Sequence, residues 1–440
     1  MTEPAGVEER STPLYRAWHG LLDPAPRQRS MLGRYAGAAR FAYNFGIRRC
    51  AEEREAGRKR PTAFTLQKEI VALKSGDLPW LREVSKCCAE SGLRDLEAAW
   101  SAFFGKRARY PKPRRRRDGG HFALTGVVRV EGGAIQLPRI GRIRLGPRDR
   151  RYVPDGEYKT AKLTERGGRW YVSVDREAVE PAPPNGGPVV AVDRGVRKLG
   201  VTSDGEVIAN PRAEERAAKH IRRAQLSVAR KQRATDKRHG KREKGECREA
   251  SKRLRRAYRQ LARAKERAAN VRRDALHQAS KRLATTASVV VLEDLRVQNM
   301  TRHRKGKGRA AKAGLNRAIL NVGWGEFKRQ LGYKCRWYGS RLVLVNPAYS
   351  SQDCSTCGAR NDPGSAETYR CAACGLVLDR DENAARNLLH RYAAGNVIPD
   401  AASGCGAKMR GEPSTRPAGL GPGRQEATIR EGSCDARASK

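Results

Sequence analysis

The sequence predicts a mixed α+β fold, and three features carry that prediction. Short alternating apolar runs separated by Gly, Pro and Asp fill residues 121 to 179. Apolar residues three and four apart recur from 28 to 104. From 189 onward, strand-like segments ending in acids alternate with long basic helical segments.

Taken in order, residues 13 to 24 (PLYRAWHGLLDP) read as one strand ending at a Pro-bounded turn. From Gln28 to about Phe104 the pattern turns helical, with Leu32, Tyr35, Ala38, Phe41, Ala42 and Phe45 on one face and Leu93, Leu96, Trp100 and Phe103 on another. Residues 106 to 117 (KRARYPKPRRRR) form a basic run, read as a phosphate-contacting strap in preference to a solvated linker. The next strands, with hairpin turns at Gly132-Gly133 and Gly167-Gly168, make a compact β-barrel or sandwich that the first strand joins. The helical stretch is then an insertion that touches the β-unit and leaves a groove beside it. Glu180 to Pro188 (EPAPPNGGP) marks a hinge and the main boundary.

After the hinge come VVAVDRG, GVTSD and EVIAN, with a hairpin turn at Asp204-Gly205. Leu254, Tyr258, Leu261, Ala264, Ala268, Val271, Ala275, Ala279 and Leu283 form an apolar stripe read as core. Ile221, Ala224 and Val228 start a matching one before a polar break at 233 to 246, so an antiparallel helical hairpin is expected. The strand SVVVLED, a basic loop from 301 to 313, a helix from about Leu315 to Tyr338 and the strand RLVLV complete a βββ-α-β-α-β order. That order matches an RNase H-like sheet, with acids on its first and fourth strands and on a closing helix.

Composition names the partner class. Lys and Arg number 91 against 47 Asp and Glu, and a net charge of +44 would repel itself without a polyanion. Nucleic acid is that polyanion, and the length leaves room for a catalytic core beyond a small basic binder. No apolar run approaches the ~18 residues of a membrane span, and Met1 to Pro13 has no signal-peptide core, so a cytoplasmic location, nucleoid-associated when DNA-bound, is expected. Cys50, Cys87, Cys88, Cys247, Cys335, Cys405 and Cys434 are scattered without a pairing pattern, which suits a reducing compartment.

Three acids are candidates for chemistry. Asp193 ends an apolar strand, where an unpaired charge costs several kcal/mol unless a cation or a proton compensates it; pairing with Arg194 or Arg197 is the bland alternative. Glu293 and Asp294 are adjacent and must face opposite ways, so only one can ligate. Asp379 and Glu382 read as a D-x-x-E capping box, leaving Asp381 in the first helical turn as the ligand. Asp193, Glu293 and Asp381 together suit two Mg2+ ions about 3.5–4 Å apart, which activate water and screen a leaving oxygen. Cys354, Cys357, Cys371 and Cys374, spaced C-x2-C-x13-C-x2-C with Gly after each knuckle, read as one structural Zn2+ site with no open position for catalysis.

The runs YSSQDCSTCGARN and YRCAACGLVLDRDENAARNLL, with VVAVDRGVRKLGVTSDG, VVVLEDLRVQNM and NVGWGEFKRQLGYK, resemble the TnpB family of transposon-encoded RNA-guided nucleases, relatives of type V CRISPR effectors. FAYNFGIRRC, LPWLREV and LRDLEAAWSAFF resemble its helical recognition region, and the likeness covers about residues 13 to 395. The resemblance implies a wedge-like β-barrel with an inserted helical lobe and a RuvC-like nuclease domain carrying a zinc-ribbon insertion. The division it suggests is 1–27 for the N-terminal segment and first barrel strand, 28–105 for the recognition lobe and 106–182 for the barrel. RuvC-like parts would occupy 183–349, with the helical hairpin at 211–285, and 377–395, flanking a ribbon at 350–376; a disordered tail would fill 396–440. By position the three acids correspond to the family's catalytic triad. Mg-dependent DNA cleavage directed by a guide RNA at a target DNA is the implied activity.

Arg194, where the family usually has an apolar residue, and Asp353, where Lys or Thr is commoner, are departures read as drift. A miniature CRISPR effector using a CRISPR RNA shares every residue named, and a guided binder or repressor without cleavage is the non-enzymatic alternative. A direct DNA transposase is disfavoured because no Tyr or Ser recombinase constellation stands out. Oligomeric state is left open by the sequence.

Overall fold

The computed structural model describes residues 14–116, 119–151, 154–179, 182–240, 250–303, 306, 308–364 and 366–398. The expected tail from 399 on, residues 1–13 and Cys247, Cys405 and Cys434 lie outside them.

Strand β1 (Leu14–Asp23) is followed by α1 (Pro26–Glu55), α2 (Ala63–Leu73), a 3-10 turn (Pro79–Glu83) and α3 (Lys86–Phe104). Then come β2 (His121–Glu131), β3 (Ala134–Leu137), β4 (Gly141–Leu145), β5 (Gly156–Arg166) and β6 (Arg169–Val179). These strands close a barrel in the order β1-β4-β3-β2-β5-β6, so the three helices are inserted between its first two strands. Alternation on β2 and β5 sends Phe122, Leu124, Leu163 and Ala161 inward. The sequence suggests a groove between barrel and helices, but one continuous apolar core joins them. Tyr35 of α1 meets Phe122 edge-on at 5.6 Å, and Phe122 meets Trp170 at 6.0 Å, so apolar burial fills the seam.

The basic run after α3 is docked rather than free. Asn44 holds the backbone of Arg114 through both amide atoms (2.8 and 3.0 Å), while the Arg114 guanidinium pairs with Asp95 at 2.9 Å and covers the Tyr43 ring.

A second sheet is built from β7 (Val189–Asp193), β8 (Lys198–Thr202), β9 (Val207–Ala209), β10 (Val289–Glu293), β11 (Arg341–Val345) and β14 (Val397–Ile398), in the order β14-β11-β10-β7-β8-β9. Strands β7, β10 and β11 run parallel, and β8 turns back antiparallel to β7. This is the RNase H-like arrangement. Strand β14 pairs with β11, so an unstructured tail cannot begin at 396 as the low-complexity composition suggests. Between β9 and β10 lie α4 (Ala213–His239) and α5 (Lys252–Thr286); α6 (Val297–Met300), α7 (Arg309–Val322) and α8 (Trp324–Trp337) precede β11. A two-stranded ribbon, β12 (Thr368–Arg370) and β13 (Val377–Asp379), leads into α9 (Arg380–Ala393), which packs on β7, β8, β10 and β11.

Three helical expectations differ from the structure. Helix α4 continues into the supposed break as far as His239 and buries no residue; of the α5 stripe, Leu254, Ala264, Ala268, Ala279 and Leu283 are buried as expected, whereas Tyr258 and Val271 are 43% and 46% exposed. The apolar period is present, but among the described residues α4 packs chiefly on α5; the C-terminal part of α5, through Leu276 and Leu283, joins the core beneath α8. The single helix from 315 to 338 is two, because Gly323 turns left-handed (φ 84°), and a Cβ there would lie 3.2 Å from Leu276.

Candidate active site and metal centre

The parallel register of β7 and β10 sets Val192 beside Leu292, which brings Asp193 and Glu293 together at the same strand ends. Asp381, the second residue of α9, comes to this edge because α9 crosses the sheet over β7; its Oδ2 is 3.9 Å from Lys198 Nζ on β8. All three sequence candidates therefore converge. Burial pushes the Asp193 carboxyl well above its ordinary range, and the charges of Glu293 and then Asp381 push it further. Burial also raises Glu293, against the pull of Arg194. Like charges held this close need a cation or a shared proton.

Oxygen Oε2 of Glu293 is buried without a hydrogen-bond partner. An orphaned carboxylate oxygen among two further acids fits a divalent cation, the ligand that would satisfy it. Among the described residues, only the four cysteines place three or more candidate ligand atoms within 4.8 Å of one another.

The neighbours are assigned elsewhere. Asp294 pairs with Lys328 on α8 at 2.9 Å, which leaves Glu293 as the inward acid. Asp379 caps α9 by accepting from the amides of Asp381 and Glu382, at 2.9 and 3.3 Å. Only half of the expected capping box forms, because the Glu382 carboxylate takes Arg386 one turn on, at 2.6 Å. Arg197 pairs with Glu367, away from Asp193.

Arg194 is not drift. Its side chain is buried in the acid cluster, its Nη2 donates to the main-chain carbonyl of Glu293, and its Nε is unpartnered 4.0 Å from Glu293 Oε2. Adjacency to Asp193 is what suggests the alternative pairing of these two residues; the guanidinium goes to Glu293 instead.

The four cysteine sulfurs form one compact cluster, with Cys354 to Cys374 and Cys357 to Cys371 each 3.6 Å. Tetrahedral thiolates bonded at about 2.3 Å to one ion would stand about 3.8 Å apart, so the set could bind a metal such as zinc. Gly358 and Gly375 (φ 75° each) turn the knuckles so that their amides reach back to Cys354 and Cys371. Among these crowded sulfurs the thiols are driven apart, Cys371 down to about 6 by backbone amides and Cys374, against the pull of the Leu376 amide, up to about 12 by hydrogen bonds with the other sulfurs.

This ribbon is clamped to the sheet edge that carries the three acids. Buried Asn383 accepts from the Ser355 amide at 2.9 Å and donates to Asp353 O at 2.8 Å; Asn387 donates to Ser350 O and Asp353 O. Asp353 also takes Arg360 and Arg391 through its carboxylate, so this departure too has a structural partner set. Asn383 and Asn387, absent from the sequence candidates, tie the first knuckle to the helix that carries Asp381.

No helix among the described residues is long and apolar enough to cross a membrane. Three family models match this chain: "Probable transposase" (OrfB_IS605) over 171–304, the TNB domain of Cas12f1-like proteins over 324–388, and a "Helix-turn-helix domain" of OrfB proteins over 21–59. The last range holds one long helix here, α1. A protein of Escherichia coli (strain K12) named "Putative RNA-guided DNA endonuclease InsQ" is 32% identical over 86% of this chain and 91% of its own length. A Streptomyces pristinaespiralis protein with the same description, without the final word, is 32% identical over 93% of this chain and 96% of its own. TnpB-like protein L79 of Acanthamoeba polyphaga mimivirus is 30% identical over 28% of this chain and 23% of its own. With relatives matched at that identity over nearly their whole length, this chain belongs to the TnpB family of OrfB-type transposon proteins.

Proposed function

We propose that this protein is an RNA-guided DNA endonuclease of a transposon, with Asp193, Glu293 and Asp381 as its metal-binding catalytic carboxylates. One observation carries the reading: three acids far apart in sequence approach one another at one sheet edge, where desolvation first, and then the charges of Glu293 and Asp381, raise the carboxyl of half-buried Asp193. The names of the full-length relatives support the substrate and the guide.

Bound magnesium would supply an activated water and charge screening for the leaving oxygen. The chain's own residues do the positioning. Asp193 and Glu293 are fixed by parallel strand pairing, Asp381 by the first turn of α9, and Lys198 is anchored on Asp379 at 2.9 Å beside Asp381. Cys354, Cys357, Cys371 and Cys374 would hold one structural zinc, with four thiolates and no vacancy for substrate. Guide RNA and target DNA are the polyanions that a net charge of +44 calls for.

A cleavage assay on the complex with its co-purified RNA tests the proposal. Asp193→Ala should abolish cutting while guide-dependent DNA binding persists. Cutting at an undiminished rate would remove the triad assignment, and a preparation carrying no RNA would remove the guided reading.

A further inference from the structure

Away from the acids, α1 faces the 3-10 turn across a notch of about 510 Å³, within the ~300–1,000 Å³ usual for ligand pockets. Arg34, Gly37, Phe41 and Arg48 line it from one face of α1 and Arg40 from beside them, with Trp80 opposite. Trp80 stands edge-on to Phe41 at 5.6 Å and stays 39% exposed. Arg48 is exposed and has no ion pair among the described residues, while Arg34 bridges the mouth to Glu83 at 2.8 Å. Asn44, also in the lining, is the residue that anchors the basic strap, so the strap passes along the edge.

The glycines point outside the chain. Glycine inside a helix destabilises it relative to alanine. Gly46 has a reason within the fold, since a Cβ would meet Leu96 at 2.4 Å; Gly37 has none, its nearest neighbour being the Arg40 tip at 3.8 Å, and Gly33, one turn earlier, meets nothing within 4 Å. A bare strip beside two aromatic rings and exposed guanidinium groups is shaped for a flat, anionic guest.

We infer that this notch binds one unpaired nucleotide of the guide RNA, its base against Phe41 and Trp80 and its phosphate on Arg48. The inference rests on the guided-nuclease reading. RNA is favoured over duplex DNA because loops and bulges offer unstacked bases to aromatic and arginine planes, whereas a duplex keeps its bases stacked.

The test uses the full-length protein and its guide RNA. Gly37→Leu, which fills the notch, and Trp80→Ala should each weaken RNA binding roughly tenfold; Gly37→Ala serves as a helix-favouring control of small volume. Arg48→Gln should reduce the salt dependence of binding by about one phosphate contact. Ultraviolet cross-linking should attach an RNA nucleotide to the peptide bearing Phe41 or Trp80. Wild-type RNA affinity in Gly37→Leu and Arg48→Gln, or cross-links to target DNA alone, would overturn the inference. A wild-type protein that binds no RNA would instead defeat the reading beneath it.

Discussion

The Arg194 guanidinium lies buried beside Glu293, donating to its main-chain carbonyl while facing its carboxylate at 4.0 Å. One cation thus serves two ends: it fixes the end of β10 and offsets part of the repulsion among three acids. Removing it separates these effects. Arg194→Leu should lower the melting temperature without magnesium, since deleting one member of a buried charge pair costs about 3–5 kcal/mol. It should also enlarge the rise in melting temperature on adding magnesium, because the site loses a competing positive charge. Thermal melts across a magnesium titration measure both, and an unchanged magnesium increment would exclude the counter-charge role.

Asp193 carries the opposite imbalance. Its carboxylate is disfavoured by burial and by two acidic neighbours, so the metal-free protein holds it at a cost. Asp193→Asn should therefore abolish cleavage yet raise metal-free stability by about 1 kcal/mol, roughly 2–4 °C for a domain of this size. Calorimetry without magnesium gives the sign. A lower melting temperature would mean that Asp193 is a satisfied structural acid.

The cysteine cluster and Asp381 are coupled through Asn383 and Asn387. Cys354→Ser, or a zinc chelator, should loosen the first knuckle and with it the start of α9. Cleavage should fall at least tenfold, with increased hydrogen exchange across 380–388. Asn383→Ala should reproduce the loss of cleavage with the metal still bound, since it cuts the link and spares the thiolates. Full activity in Asn383→Ala would confine the ribbon to a separate task.

What the sequence made legible was set by local signals. Strand alternation, Gly-Gly turns and the C-x2-C spacing act over a few residues, so the barrel strands, hairpins and cysteine cluster could be read directly. The approach of Asp193, Glu293 and Asp381 followed from strand order, because parallel neighbours bring their ends to one edge. Partner choice was hidden. Nothing local in α4 says that its apolar stripe stays unburied among the described residues, or that Glu382 prefers Arg386 to completing a cap. Adjacency offers Arg194 only its neighbour Asp193 as a partner, because Glu293, which it serves, is 99 residues away.

A buried amine supports the helical layer behind the acids. Lys334 of α8 donates to His277 O at 2.6 Å and Ser280 Oγ at 2.7 Å on α5, and burial lowers its pKa to about 8, below an ordinary 10.5. Between those values the unfolded chain binds more protons than the folded one, so this residue makes stability rise with pH from about 8 to 10.5. Below 8 both states hold the proton and the penalty is constant. Lys334→Met shifts the baseline by removing two hydrogen bonds but has no proton to lose. Denaturation of both proteins at pH 7, 9 and 10 should therefore show the wild type gaining on the variant as pH rises. Parallel pH profiles would mean that Lys334 keeps an ordinary pKa in the folded protein, with its ammonium reached by water between α5 and α8.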